Sequence, residues 1–213
     1  MRSPGQCLAL FRVLPLAGIL LLMAIAFVWR PWLQRRRHGT WGVVLFRGGA
    51  AQKLRDVMLI VLPLLLLAQA LVAAAWPDAL ALSEADRREP PGVRHVLGAV
   101  LLLGGLLLQA AAMLHLGASW RIGIDERSRP GLVTGGLYQF SRNPIFLALI
   151  AVLAGYTLLL PTLLSALILI GACVAIRQQI VEEEDYLLRT YGKEYRDYAR
   201  RVGRLLPGAG KLD

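Results

Sequence analysis

Two polar segments interrupt an otherwise apolar chain, and both carry residue types able to handle a small charged molecule. The first runs Leu132-Val133-Thr134-Gly135-Gly136-Leu137-Tyr138 and ends at Ser141-Arg142-Asn143-Pro144. Asn143 is expected to cap a helix with Pro144 in its first turn, where a missing N–H costs nothing. A helix start preceded by a glycine-rich turn presents free backbone donors and the positive end of a dipole, which suits a carboxylate or a phosphate. A merely well-capped helix entry would use the same residues. The second segment is Arg177-Gln178-Gln179-Ile180-Val181-Glu182-Glu183-Glu184-Asp185. A run of acids is commonly a solvated face. Successive helical residues point around the whole circumference, however, so four acids in a row cannot all face water if one side packs on protein. At least one should face inward.

The elements that must position these segments are membrane helices. Of 213 residues, 56% are hydrophobic and 18% charged, and the mean hydropathy is +0.54. A water-soluble globule of that composition could not cover its own surface, so an all-α polytopic membrane protein is expected, not a soluble enzyme or a disulfide scaffold. Apolar runs at 8–29, 57–76 and 96–116 each approach bilayer length. The first run also has features of a signal peptide, but its Trp-Arg-Pro-Trp boundary favours a retained helix. The stretch 145–176 would rise roughly 48 Å as one helix, too long for a hydrocarbon core of about 30 Å. Pro161 at its centre predicts two short helices, about 145–160 and 162–177, and hence five spans. An amphipathic helix at the membrane interface is expected after that, ended by Gly192, then a mixed-charge helix from Lys193. The chain divides on this reading into an N-terminal helical part, 1–116, and a chemistry-bearing part, 117–213.

Charge gives the orientation. Of 24 Lys and Arg, 19 fall on one side of these spans, including Arg35-Arg36-Arg37, Arg121, Arg127, Arg129 and the tail. The positive-inside rule then places the N-terminus outside and the C-terminal tail in the cytoplasm. The net charge of +10 is read as a collar facing anionic membrane lipids, with no nucleic-acid partner. Catalytic signatures of other classes are missing: there is no HExxH, P-loop, GxSxG or GxGxxG, and no Cys/His cluster that would suggest a metal. His38, His95 and His115 are expected at the interface, and Cys7 and Cys173 as ordinary small apolar residues.

The two polar segments together resemble a known family. Leu132-Val133-Thr134-x-Gly136-x-Tyr138-x-x-x-Arg142-Asn143-Pro144-x-Phe146 is similar to the LVTxGxYxxxRHPxY signature of isoprenylcysteine carboxyl methyltransferases and their phospholipid-methyltransferase relatives. Glu183-Glu184-x-x-Leu187-x-x-x-Tyr191-Gly192-x-x-Tyr195-x-x-Tyr198-x-x-x-Val202-x-Arg204-x-x-Pro207 resembles the tail of that family. The resemblance implies an integral membrane methyltransferase that binds S-adenosyl-L-methionine without a Rossmann fold, on the cytoplasmic side, and acts on a lipid-like or small-molecule acceptor. Carried over by position, it implies cofactor contacts from Leu132, Val133, Tyr138, Arg142, Asn143, Pro144, Phe146 and Glu183. It places Gln179 at the substrate, where relatives often carry an Arg, and leaves Arg177 as a nearby cation. Asn143 replaces the usual His, and Phe146 the usual Tyr.

Methyl transfer from a sulfonium to a carboxylate or thiolate needs positioning in a dry pocket more than a base. An amine acceptor must lose a proton, and Glu184 or Asp185 would take it. Arg177 and Glu184 are thus the expected catalytic groups. Two alternatives remain open on sequence: an NADPH-dependent sterol-reductase-like enzyme, and a non-catalytic membrane assembly or transport protein whose acids merely form salt bridges.

Overall fold

The computed structural model describes residues 4–46, 49–76, 92–120, 122 and 131–212. The 77–91 connection and positions 121 and 123–130, with the basic residues expected at Arg87, Arg88, Arg121, Arg127 and Arg129, lie outside the described residues. Helix α1 (Pro4–Met23) runs through a π-helical stretch, Ala24–Trp29, into α2 (Arg30–His38). Then follow α3 (Ala50–Ala75), α4 (Val93–Leu116), α5 (Pro144–Leu159), α6 (Leu163–Tyr191) and α7 (Lys193–Arg201). No strand occurs among the described residues, only isolated bridges. Four helical stretches are long and apolar enough to cross a bilayer: Phe11–His38, Gln52–Ala75, Val93–Ser119 and Leu163–Tyr191. The chain is a multi-pass integral membrane protein.

The expected count of five spans is reached only by including α5, whose 16 residues rise about 24 Å, short of a hydrocarbon core of about 30 Å. A second expectation is corrected. No turn or interfacial helix follows a span ending at 177: α6 continues unbroken for 29 residues to Tyr191 and carries the acids on its last turns. Nothing between Leu163 and Tyr191 breaks a helix, so the acids do not mark its end. Gly192, at φ +54° and ψ −116°, turns the chain directly into α7, a conformation that favours glycine.

The α5–α6 hairpin is stapled by Thr162, whose hydroxyl accepts from Ser165 N while Ser165 Oγ accepts from Thr162 N. This reciprocal cap satisfies two otherwise orphaned donors. Gln69 of α3 donates to the Thr162 hydroxyl, and the Tyr156 hydroxyl donates to the Leu66 carbonyl at 2.7 Å. Polar groups thus lock the hairpin onto α3 where lipid offers them no partner. Against α4 the hairpin packs by backbone approach. A Cβ at Gly155 would lie 2.4 Å from Leu102 N, and one at Gly105 2.8 Å from Val152 Cγ2. One apolar core, with Ile19, Leu66, Leu102, Leu106, Val152, Tyr156 and Ile168, runs across the 116/117 boundary.

Candidate functional site

The site is framed by a buried ion cluster that the sequence did not disclose. Arg142, just before α5, and Glu184, near the end of α6, are 42 residues apart and meet at 2.6 Å. Glu184 Oε1 accepts from Arg142 Nε and Nη2 and from Arg204 Nε, and Oε2 accepts from Arg204 Nη2 at 2.7 Å. Arg142 also donates to the carbonyls of Ala199, Val202 and Gly210, which engages all five of its N–H groups. The Arg142 amide donates to Gly203 O at 2.9 Å, and Tyr198 Oη donates to Tyr138 O at 2.6 Å. The loop before α5, the end of α6 and the tail from α7 onward are therefore one clamped unit.

This clamp corrects two expectations. Arg142 has no donor left for a cofactor, and Glu184 has both oxygens held by guanidinium groups. Both are 6% exposed or less. They hold the site rather than line it. A third correction concerns Asn143. It occupies the N-cap position of α5, but its side chain makes no cap; instead Nδ2 donates to Arg204 O at 3.0 Å. Its own amide donates to Ser141 Oγ at 3.2 Å. The side chain serves the tail, and the first amides of α5 carry no side-chain cap.

What the clamp presents is the pair Tyr138 and Glu183. Tyr138 lies in the single turn Gly136–Gln139 and is 6% exposed. Burial pushes its phenol well above the ordinary value, and the nearby Glu183 carboxylate pushes it further. Glu183 is half-buried, whereas Glu182 and Asp185 on either side of the run are exposed. Glu182 instead pairs with Arg55 of α3 at 2.6 Å on the surface. Under Tyr138, the α7 tyrosines form a small core with Val202, against which Leu132 packs. Burial pushes Tyr198 up to about 12, partly opposed by Arg142, and pushes Tyr195 up as well. The Arg204 guanidinium is held above its usual value chiefly by its hydrogen bonds to Glu184.

The remaining expected residues divide. Val133 and Phe146 are half-buried and Pro144 is buried, all on the same loop and helix start. Gln179 is half-buried one turn before Glu183, on the same face of α6. Arg177 is exposed and sits two turns before Glu184, so it is not brought into the cluster. Two residues set aside on sequence prove adjacent to the site. His115, at the end of α4, lies against the glycine turn, where a Cβ at Gly136 would come 2.3 Å from His115 Cδ2. Arg30, counted as part of a basic collar, is 2% exposed, with Nε donating to Met113 O and Nη2 to Gly117 O. A buried Arg at the end of an apolar run has no sequence signature that separates it from a surface anchor.

Comparison with known proteins bears on this arrangement. Residues 93–194 match the family model described as phospholipid methyltransferase. A protein-S-isoprenylcysteine O-methyltransferase of Dictyostelium discoideum is 30% identical over 118 residues, covering 53% of this chain and 48% of its own. The nickel-cobalt-cadmium resistance protein NccN of Alcaligenes xylosoxydans xylosoxydans is 30% identical over 112 residues, covering 52% of each chain. The chain thus spans about half the length of the curated relatives it matches. The solved eukaryotic intramembrane Ras methyltransferase ICMT (isoprenylcysteine carboxyl methyltransferase) aligns over 92% of this chain and 75% of its own, at 16% identity and a TM-score of 0.47. The matched segment holds both the loop that carries Tyr138 and the acids of α6, and over that segment the chain is similar to phospholipid methyltransferases and to protein-S-isoprenylcysteine O-methyltransferases.

Proposed function

We propose that this protein is a membrane methyltransferase that uses S-adenosyl-L-methionine and methylates a lipid-like or prenylated acceptor. The observation that carries the reading is the clamp, which sets the uncapped start of α5 and the buried Tyr138 beside the half-buried Glu183. These residues fit the cofactor's chemistry. Uncapped helix-start amides suit its carboxylate, Glu183 its ammonium, and the faces of Tyr138 and Phe146 its sulfonium or adenine. Bound there, the cofactor would supply a methyl group on a positively charged sulfur.

The chain's own residues would then orient and exclude water. Tyr138, kept neutral by burial, cannot compete as a phenolate for the methyl group. Arg142, Glu184 and Arg204 act by fixing the loop and tail, so they are positioning residues. An acceptor that is already ionised, a carboxylate or a thiolate, suits a site whose second acid is engaged in ion pairs. Gln179, half-buried one turn from Glu183, would touch the acceptor. We further infer that this side of the protein is cytoplasmic, from the excess of Lys and Arg there. A cysteine introduced at Gly208 that reacts from outside intact cells would overturn that orientation.

Calorimetry in detergent with S-adenosylhomocysteine and with NADPH tests the cofactor, and methyl transfer to an isoprenylated cysteine tests the reaction. Binding of S-adenosylhomocysteine but not NADPH is expected. Heat with NADPH alone would move the protein to the reductase class, and heat with neither would remove the enzymatic reading.

A further inference from the structure

Arg30 is the buried cation that this mechanism leaves without a task. It stands on α2, outside the segment shared with the methyltransferase family. Its Nε donates to Met113 O at 3.1 Å, Nη2 to Gly117 O at 2.5 Å and Nη1 to Gln34 Oε1 at 2.8 Å. The guanidinium stacks 4.7 Å from the centre of the Trp120 ring, and Gln34 Nε2 in turn donates to Ala118 O at 3.0 Å. Three of the five N–H groups are thereby engaged, and two have no partner among the described residues. The carbonyls are those of Met113 in the last turn of α4 and of Gly117 just beyond it, at the helix end that carries about half a negative charge. That leaves roughly half of the cation uncompensated in a buried place, which is unfavourable until an anion arrives. Among the described residues no carboxylate pairs with Arg30, in contrast to Arg142, which has Glu184.

Arg30 also stands at the right end of the fold. The same last turn of α4 carries His115 against Gly136, in the turn that holds Tyr138. Arg30 and Tyr138 are close enough to interact electrostatically, as are Tyr138 and Glu183. A ligand carrying both an ammonium and a carboxylate would find an acid on the α6 side and a guanidinium fork on the α2 side. The α6 side itself offers only Gln179 where a cation was expected.

We propose that Arg30, framed by Trp120 and Gln34, is the carboxylate-recognising residue of this site, its two unused N–H groups receiving a ligand carboxylate. The ligand's identity rests on the methyltransferase reading; the anion preference does not. Two sources share the chemistry: the amino-acid end of the methyl donor, and the free carboxylate of an isoprenylcysteine acceptor.

Four probes separate them: S-adenosylhomocysteine against 5′-methylthioadenosine, which lacks the amino-acid end, and N-acetyl-S-farnesylcysteine against its methyl ester. Arg30→Gln should lose roughly ten- to a hundredfold in affinity for one acid-bearing probe, the range for a charged hydrogen bond, and little for its acid-free counterpart. Arg30→Lys, which keeps the charge but not the planar fork, should fall between. Gln34→Leu disturbs the same packing and should lower Tm while leaving the preference for the acid intact. Loss confined to the first pair assigns the donor's carboxylate, and loss confined to the second the acceptor's. If wild type and Arg30→Gln show the same acid-to-neutral ratios in both pairs, or Gln34→Leu abolishes the preference equally, Arg30 is only a brace for α4 and the proposal is overturned. Should Arg30→Gln fail to fold, the ratios of Arg30→Lys decide. A wild type that ignores both adenosyl compounds yet prefers the acid over the ester through Arg30 would defeat the methyl-donor reading and leave this one standing.

Discussion

Glu184→Gln is the sharpest perturbation of the clamp, because it removes one charge and almost no volume. In the native site a single carboxylate serves two guanidinium groups, and the Arg142 side chain is 1% exposed. Glutamine retains one carbonyl oxygen for Arg142 but turns its NH2 toward Arg204, donor against donor. The local charge rises from +1 to +2. Removing one partner of a buried pair costs about 3–5 kcal/mol. The Arg204 share of this is small, since its side chain is 36% exposed and solvent screens it. Because the clamp docks the tail, the loss should appear as local opening of 193–212. At about 1.4 kcal/mol per factor of ten, amide exchange in α7 should accelerate by roughly two to four orders of magnitude. Hydrogen exchange in detergent, read by mass spectrometry, measures this directly. Asp185→Asn is the control, because Asp185 lies next in sequence but is exposed. If Glu184→Gln leaves α7 exchange within threefold of wild type, or Asp185→Asn speeds it equally, the cluster does not hold the tail and the argument fails.

Glu183→Gln should weaken S-adenosylhomocysteine by about 1.5–3 kcal/mol, whereas Glu182→Gln, which breaks only an exposed pair with Arg55, should change it by less than about 1 kcal/mol; equal losses in calorimetry would reduce the acids to diffuse charge. Asn143→Ala and Asn143→Asp should both destabilise the tail by about 1 kcal/mol, since neither can donate to Arg204 O. Asn143→His keeps a donor and should be milder; thermal unfolding ranks the three, and Asp matching wild type would restore the capping role. The phenols of Tyr138, Tyr195 and Tyr198 are raised by burial. A raised acid contributes stability fully present below its unfolded value of about 10 and lost as pH rises through the folded one. Tm should therefore hold to about pH 9 and fall between about pH 10 and 12, with a shallower fall in Tyr198→Phe.

Periodicity and composition made the membrane class, the α5–α6 turn at Pro161 and the helix from Lys193 legible, because each depends on neighbours in sequence. The site was legible as a set of residue types rather than as roles. Tyr138 and Glu183 were named together through the family resemblance; composition alone offered only two polar segments within an apolar chain, with at least one of four acids facing inward. Arg142 and Glu184 looked like ligand groups, yet only the fold shows that they neutralise each other across 42 residues. Asn143 offered a cap by its type and position, but the Arg204 carbonyl, 61 residues on, competes successfully for its amide. Arg30 was the least visible, since an arginine at the end of an apolar run obeys the positive-inside rule whether it snorkels outward or turns inward.

The π-helical stretch Ala24–Trp29 decides that last choice. At about 100° per residue, the inward face set by Gly18, Ile19 and Leu22 would, in an uninterrupted α-helix, come round at Trp29 and not at Arg30. The buried positions beyond the stretch are Arg30, Pro31 and Gln34, each one place late. The wider turns absorb that single residue and bring the two faces into phase. Genetically, the stretch behaves as an insertion of one amino acid. Inserting one further residue between Ala24 and Trp29 would leave a helix of nearly unchanged length and hydropathy, able to insert normally. It would swing Arg30 and Gln34 by about 100° away from the end of α4. Membrane insertion and the assembly of this corner of the protein are thus written in separate features of one helix, and a single codon separates them.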